Sequence, residues 1–170
     1  MRVLSTSIDA VLFDLDGTLL DTTEAIILSL LHTVKKYTGR EPSMEDLQPL
    51  MGLPLVDVFR VLIPGKVEDA NATYVEHNIA LHKDHVKPYP GVTETVEALK
   101  NCGIRLAIVT SKRRRTATIG LENAGLLDKF NAIVCHGDTA KSKPDPGPVL
   151  LALRLLGIDG PVRDTHGDDG

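Results

Sequence analysis

Apolar residues fill the run Ile8 to Phe13 and then give way to acids. The run is short, bounded, and rich in β-branched and aromatic side chains, the pattern of a strand buried on both faces. Beyond Thr22 the period changes. Ile27, Leu30, Leu31 and Val34 fall at i, i+3, i+4 and i+7, which predicts an amphipathic helix that Asp21 or Thr22 can start and Gly39 can end. Ser43 opens a second helix, with Glu45 and Asp46 in its first turn. Pro54 begins a third, which Pro64-Gly65 stops, and a polar helix over about 67–85 follows. No segment here alternates as a strand does, so Thr22 to Val86 is predicted to be all-helical.

From Gly91 the rhythm becomes helix, strand, helix, strand, helix. Val92, Val96 and Leu99 line one helix face, Arg105 to Val109 reads as a strand, and Thr116 to Asn123 as a helix. Ala132 to Cys135 is the next strand and Val149 to Leu156 the next helix. Strands alternating with helices of this length predict a parallel sheet flanked by helices. The fold class is therefore α/β, a Rossmann-like parallel sheet with an all-helical cap inserted after its first strand. The expected division is a discontinuous core, residues 1–21 and 87–170, and a cap over 22–86. Pro88, Pro90 and Gly91 mark the return crossing, where a hinge is expected.

In an open parallel sheet, ligands gather beyond the carboxyl ends of the strands. Asp14 ends the first strand, Thr110 the second, and Lys143 lies in the loop after the third. Carboxylates delivered by a buried strand need a compensating cation. A hard divalent metal with oxygen ligands suits Asp14 and Asp16. A calcium-binding EF-hand loop fits poorly, because Gly17 is fourth from Asp14 rather than sixth and the segment follows a strand. Pro144 pushes Lys143 toward an extended backbone.

The run Asp14-Leu15-Asp16-Gly17-Thr18-Leu19 resembles the signature of the haloacid dehalogenase-like superfamily of aspartate-nucleophile phosphotransferases. Tyr89-Pro90-Gly91-Val92, Ile108-Val109-Thr110-Ser111-Lys112 and Lys143-Pro144-Asp145-Pro146 are similar to its phosphoglycolate phosphatase-like branch. The resemblance implies that Asp14 attacks phosphorus to form an aspartyl-phosphate. It implies that Asp16 serves as acid and then base, a role calling for a raised pKa that a neighbouring carboxylate can supply. Thr110, Ser111 and Lys143 would bind the phosphate, with Mg²⁺ held by Asp14, the Asp16 backbone carbonyl and a late aspartate. Gly17 is expected to serve through close approach or unusual dihedrals.

The expected activity is Mg²⁺-dependent hydrolysis of a small phosphorylated metabolite, with a phosphoglycolate-like phosphomonoester as the leading substrate. A pyrophosphatase or a sugar phosphomutase shares every residue named, and a catalytically silent phosphate-binding relative is the remaining alternative. A dehalogenase is disfavoured, because it has no use for the acid–base work of Asp16. The resemblance frays after Gly157. Gly167 and Asp168 fall where the family places its metal-binding Gly-Asp pair, with Asp164 and Asp169 as competing ligands. The segment before them is polar and holds Pro161, a poor strand, so the C-terminal part of the core is expected to be cut short.

Charge and composition narrow the partners. A net charge of -4 argues against nucleic acid, which calls for a basic face. No apolar stretch reads as a signal peptide or membrane span, so a cytoplasmic monomer or homodimer is expected. Cys102 and Cys135 read as small core residues in a reducing compartment rather than as a disulfide. His77, His82 and His85 lack metal-ligand spacing and read as surface residues. The run Lys112 to Arg115 reads as a solvated face rather than an anion attractor. Lys35, Lys36, Arg40 and Arg60 all qualify to meet an anionic substrate tail.

Overall fold

A computed structural model describes residues 8–50 and 53–158. In chain order the elements are β1 (Ala10–Phe13), β2 (Leu20–Asp21), α1 (Thr23–Thr38), α2 (Met44–Leu47), α3 (Leu55–Leu62), α4 (Val67–His85) and β3 (Lys87–Pro88). Then come α5 (Val92–Asn101), β4 (Arg105–Arg113), α6 (Arg114–Asn123), β5 (Ala132–His136) and α7 (Gly147–Leu155).

The main sheet is parallel in the order β1-β4-β5, with Phe13 beside Ile108 and Ile108 beside Ile133. Strand side chains alternate between faces. Leu106 and Ile108 join the core beneath α5 and α6, with Val11 and Phe13 packed against it. Ala107 and Val109 meet Ala152 and Leu156 of α7 on the other face, with Ala10 and Leu12 packed there. Both faces are covered, as an α/β sheet requires. The predicted parallel sheet flanked by helices is present.

Several boundaries differ from expectation. Ile8 is exposed and β1 starts at Ala10. β4 runs on past Val109 to Arg113, with a register irregularity there, so Thr110 is not a strand terminus. The antiparallel pair β2–β3 closes the two crossings on each other, Leu20 opposite Pro88 and Asp21 opposite Lys87. Two-residue strands are too short to show a period.

All four elements between β2 and β3 are helical, as predicted, apart from a 3-10 turn at Gln48–Leu50. Ser43 caps α2 through a reciprocal box with Asp46, and Gly39 ends α1 with a left-handed backbone. Phe59, Leu47, Leu30, Val34 and Ala70 form a core of their own within this helical segment. A polar seam joins α1 to α4: the Asn78 amide donates to the Ala25 carbonyl at 3.2 Å, and Ser29 Oγ donates to the same carbonyl at 2.6 Å. Cys102 is exposed, contrary to expectation, whereas Cys135 is buried, and both are free thiols.

His82 also overturns its sequence reading, being 1% exposed. Its ring lies against Gly120 of α6, where a Cβ would stand 3.5 Å from His82 Cδ2 and 3.1 Å from Leu20 Cδ1. His82 Nδ1 donates to the Asn78 carbonyl at 2.7 Å, leaving Nε2 buried with no partner among the described residues. Burial holds this imidazole below its ordinary 6.5, the Asn78 carbonyl opposes that, Lys112 reinforces it and Asp16 opposes it weakly. His77 shifts the same way, again chiefly through burial.

These shifts carry a sign for stability. Below the ordinary imidazole value of 6.5 the unfolded chain binds a proton that folded His82 refuses, so stability falls as pH drops through that window. His82→Leu should flatten the stability–pH slope between about pH 7 and pH 5, read from urea midpoints. An unchanged slope would mean that other groups carry it.

Candidate active site

Strand β1 delivers Asp14 one residue past Phe13, at the carboxyl edge of the sheet. The chain then turns on itself. Leu15 carbonyl accepts from Leu19 N–H at 3.0 Å and from Leu20 N–H at 2.9 Å, while Gly17 N–H donates to the Leu20 carbonyl at 2.9 Å. Leu15, Leu19 and Leu20 are buried and anchor this turn. Gly17 has φ +75°, a left-handed backbone that a side chain would strain.

Lys143 crosses from the loop after β5. Its Nζ donates to Asp14 Oδ1 at 2.9 Å and to the Val109 carbonyl within β4 at 3.1 Å, tying the loop after β5 to β4 and to the residue that follows β1. An ammonium has three donors, so one remains for a further acceptor. Thr110 is buried, and its Oγ1 accepts the Lys112 N–H at 3.1 Å, which leaves its own hydroxyl proton to donate elsewhere. Ser111 is exposed beside it. Asp168, with Asp164 and Asp169, lies outside the described residues.

Asp16 has a partner that the sequence did not reveal. Lys112 Nζ donates to Asp16 Oδ1 at 2.8 Å, and this lysine side chain is only 12% exposed. The expected neighbour for Asp16 was a second carboxylate; the observed one is an ammonium. Two acids and two lysines therefore alternate at the sheet edge, Asp14 with Lys143 and Asp16 with Lys112. The balanced set can admit a divalent cation together with a phosphate dianion without accumulating net charge.

Tyr74 of α4 packs edge-on against Phe59 in the core of the helical segment. Burial pushes its phenol well above the ordinary range, and the charge of Asp16 adds to the effect. The only sequence signal for it was its place on the polar helix.

The donors that would suit a hard cation are oxygens: the Asp14 carboxylate and the Asp16 carbonyl. No hydrogen bond from a described residue reaches that carbonyl, although its neighbours at Leu15 and Leu20 are both engaged. Among the described residues no cluster of three or more acids, histidines or cysteines forms a closed metal cage. A two-oxygen start fits an ion such as Mg²⁺, which takes few protein ligands and keeps several waters.

A sequence model described as haloacid dehalogenase-like hydrolase matches residues 11–161. Pyrophosphatase PpaX of Halalkalibacterium halodurans is 47% identical over 150 residues, spanning 88% of this chain and 70% of that protein. The fold superposes with a TM-score of 0.78 and 28% identity on a Lactobacillus plantarum protein proposed to be a phosphoglycolate phosphatase, covering 89% of this chain and 73% of that one. A Thermotoga maritima protein proposed to be a beta-phosphoglucomutase gives 0.73 at 28% identity, covering 89% and 72%. Among the described residues, no helix is long and apolar enough to cross a membrane.

Proposed function

The chain belongs to the haloacid dehalogenase-like hydrolase family, and from that premise we propose that it is a Mg²⁺-dependent phosphatase in which Asp14 is the nucleophile. The observation that carries this reading is Lys143 Nζ held 2.9 Å from Asp14 Oδ1, with Thr110 and Asp16 at the same sheet edge.

An Asp14 oxygen attacks phosphorus, and the bond from phosphorus to the leaving oxygen breaks. Asp16 gives that oxygen its proton, then takes one from water as the water attacks the acyl phosphate and frees Asp14. Thr110, Ser111 and the remaining donor of Lys143 hold the phosphoryl oxygens, where charge builds in the transition state. Lys112 keeps Asp16 aimed at the reaction line by holding its other oxygen. Mg²⁺, held by Asp14, the Asp16 carbonyl and a late aspartate such as Asp168, would offset the repulsion between carboxylate and phosphate.

The helical segment 22–86 acts in this reading as a cap that closes over the site and excludes water. Its crossings meet at the β2–β3 pair, where His85 Nδ1 also lies 3.1 Å from Glu24 Oε2. Small phosphomonoesters such as phosphoglycolate are the first substrates to try. The likeness to a pyrophosphatase supports inorganic pyrophosphate as the second reading.

Phosphate release from phosphoglycolate, sugar phosphates and pyrophosphate tests both. Excess chelator should lower the rate on the order of 10²-fold or more, with recovery on added Mg²⁺, because metal charge stabilisation is worth several kcal/mol. Binding of these compounds without turnover would overturn the phosphatase reading.

A further inference from the structure

Helix α4 serves two neighbourhoods. It packs on α1 and α3 within the helical segment, and it also packs on α6, which covers one face of the sheet. His82 is buried at this second contact, three residues before α4 ends. A Cβ on Gly120 of α6 would stand 3.5 Å from its Cδ2 and 3.7 Å from its Nε2, so the imidazole rests on bare helix backbone. Each side of the contact has a core of its own. Phe59, Leu47 and Leu30 form one within the helical segment, and Leu106, Ile108 and Leu121 belong to the other beneath the sheet.

The ring has room for one proton only. Nδ1 donates to the Asn78 carbonyl at 2.7 Å, which leaves Nε2 as the place for a second. That nitrogen is buried with no partner among the described residues, and a charged N–H left there without an acceptor is costly. Gly120 and Leu20 bring no charge to the contact. On α6, Arg114 is tied to Asp138, while Arg115 and Glu122 are exposed. On α1, Glu24 pairs with His85, and on α4 itself Lys83 and Asp84 are exposed. The charges that act on the imidazole are Lys112, against a proton, and Asp16, in favour of one, and these two are paired with each other at 2.8 Å.

We propose that His82 is a proton-operated latch between the helical segment and the sheet: the neutral ring seats α4 on α6, and a proton at Nε2 favours an opened contact in which both cores stay folded. The latch does not depend on the phosphatase reading, although a segment that closes over the sheet edge would be opened by acid through it. Above the ordinary imidazole value of 6.5 neither state takes the proton. Below it the open state binds a proton that the seated ring refuses. Opening therefore rises on acidification, by up to about tenfold between about pH 7.5 and about pH 5.5. Leu81, packed against the core beneath the sheet, opposes opening at every pH.

Hydrogen–deuterium exchange of the intact chain, followed peptide by peptide and corrected for the intrinsic pH dependence of exchange, tests this. On going from about pH 7.5 to about pH 5.5, peptides 78–86 and 116–123 should exchange up to about tenfold faster, through an opening that low urea hardly accelerates. His82→Gln cannot take up the proton and should abolish the acid effect, while His77→Gln and His85→Gln should keep it. Unchanged rates in the wild type, or an acid effect that survives in His82→Gln, would overturn the latch. So would acid-induced exchange with the full urea sensitivity of global unfolding. Should His82→Gln fail to fold, an NMR titration of the wild type decides. The His82 ring signal and the amide signals of 116–123 should move with one midpoint below 6.5, and separate midpoints overturn the proposal.

Discussion

Asp14→Asn is expected to cut phosphate release by at least about 10³-fold, the scale on which loss of a nucleophile is felt. Asparagine keeps the shape of the side chain and an acceptor for Lys143 Nζ, now 2.9 Å from Asp14 Oδ1. It removes only the negative oxygen that would bond to phosphorus. The fold should be unaffected, since Asp14 is partly exposed and its carboxylate fills no core position. Rate alone would not separate a nucleophile from a charge that merely holds a metal. Rapid acid quench followed by mass measurement does. Wild-type protein caught during turnover should carry one added phosphoryl group on the peptide containing Asp14, and the variant none. A variant within tenfold of wild type, or an adduct mapped to another residue, would remove the covalent mechanism.

Which parts of the molecule were legible in the sequence follows from the range of the forces involved. Periodicity and end signals located the seven α-helices of the described residues, because an amphipathic face and its caps depend on neighbours three and four positions away; the 3-10 helices at Gln48–Leu50 and Leu127–Lys129 were not foreseen. The end of β4 was missed because Thr110 to Arg113 is polar and hydrophobic pattern was the only strand signal available. Asp14 and Lys143 were legible as residues just beyond strand ends, since parallel topology by itself brings the carboxyl ends together, whereas Thr110, expected to end its strand, lies within β4. The Lys112–Asp16 pair was not, since 96 positions separate its members and the basic run around Lys112 looked like surface. His82 was misread for a similar reason. Its ring packs against Gly120, on a helix that the local pattern around His82 cannot sense.

Asp16→Asn separates the two half-reactions, and its effect should depend on the leaving group. General acid–base catalysis contributes typically about 10²–10⁴-fold. An alkyl phosphate expels a strongly basic oxygen, so loss of the acid should slow even the first turnover by that factor. With p-nitrophenyl phosphate the leaving group needs no proton. The first turnover should survive, giving a burst of nitrophenolate equal to the enzyme present, followed by slow release because no base activates the water. A rival explanation is electrostatic. The amide of the Asp16→Asn variant would leave the Lys112 ammonium, only 12% exposed, without its anion, and an orphaned buried charge is itself destabilising. The double variant Asp16→Asn/Lys112→Met removes that orphan. If the loss came from the stranded ammonium, the double variant recovers activity; if it came from proton transfer, it stays slow while its stability returns. Recovered turnover, or a uniform loss with no burst on p-nitrophenyl phosphate, would take the acid–base role away from Asp16 and leave it only as the anchor for Lys112.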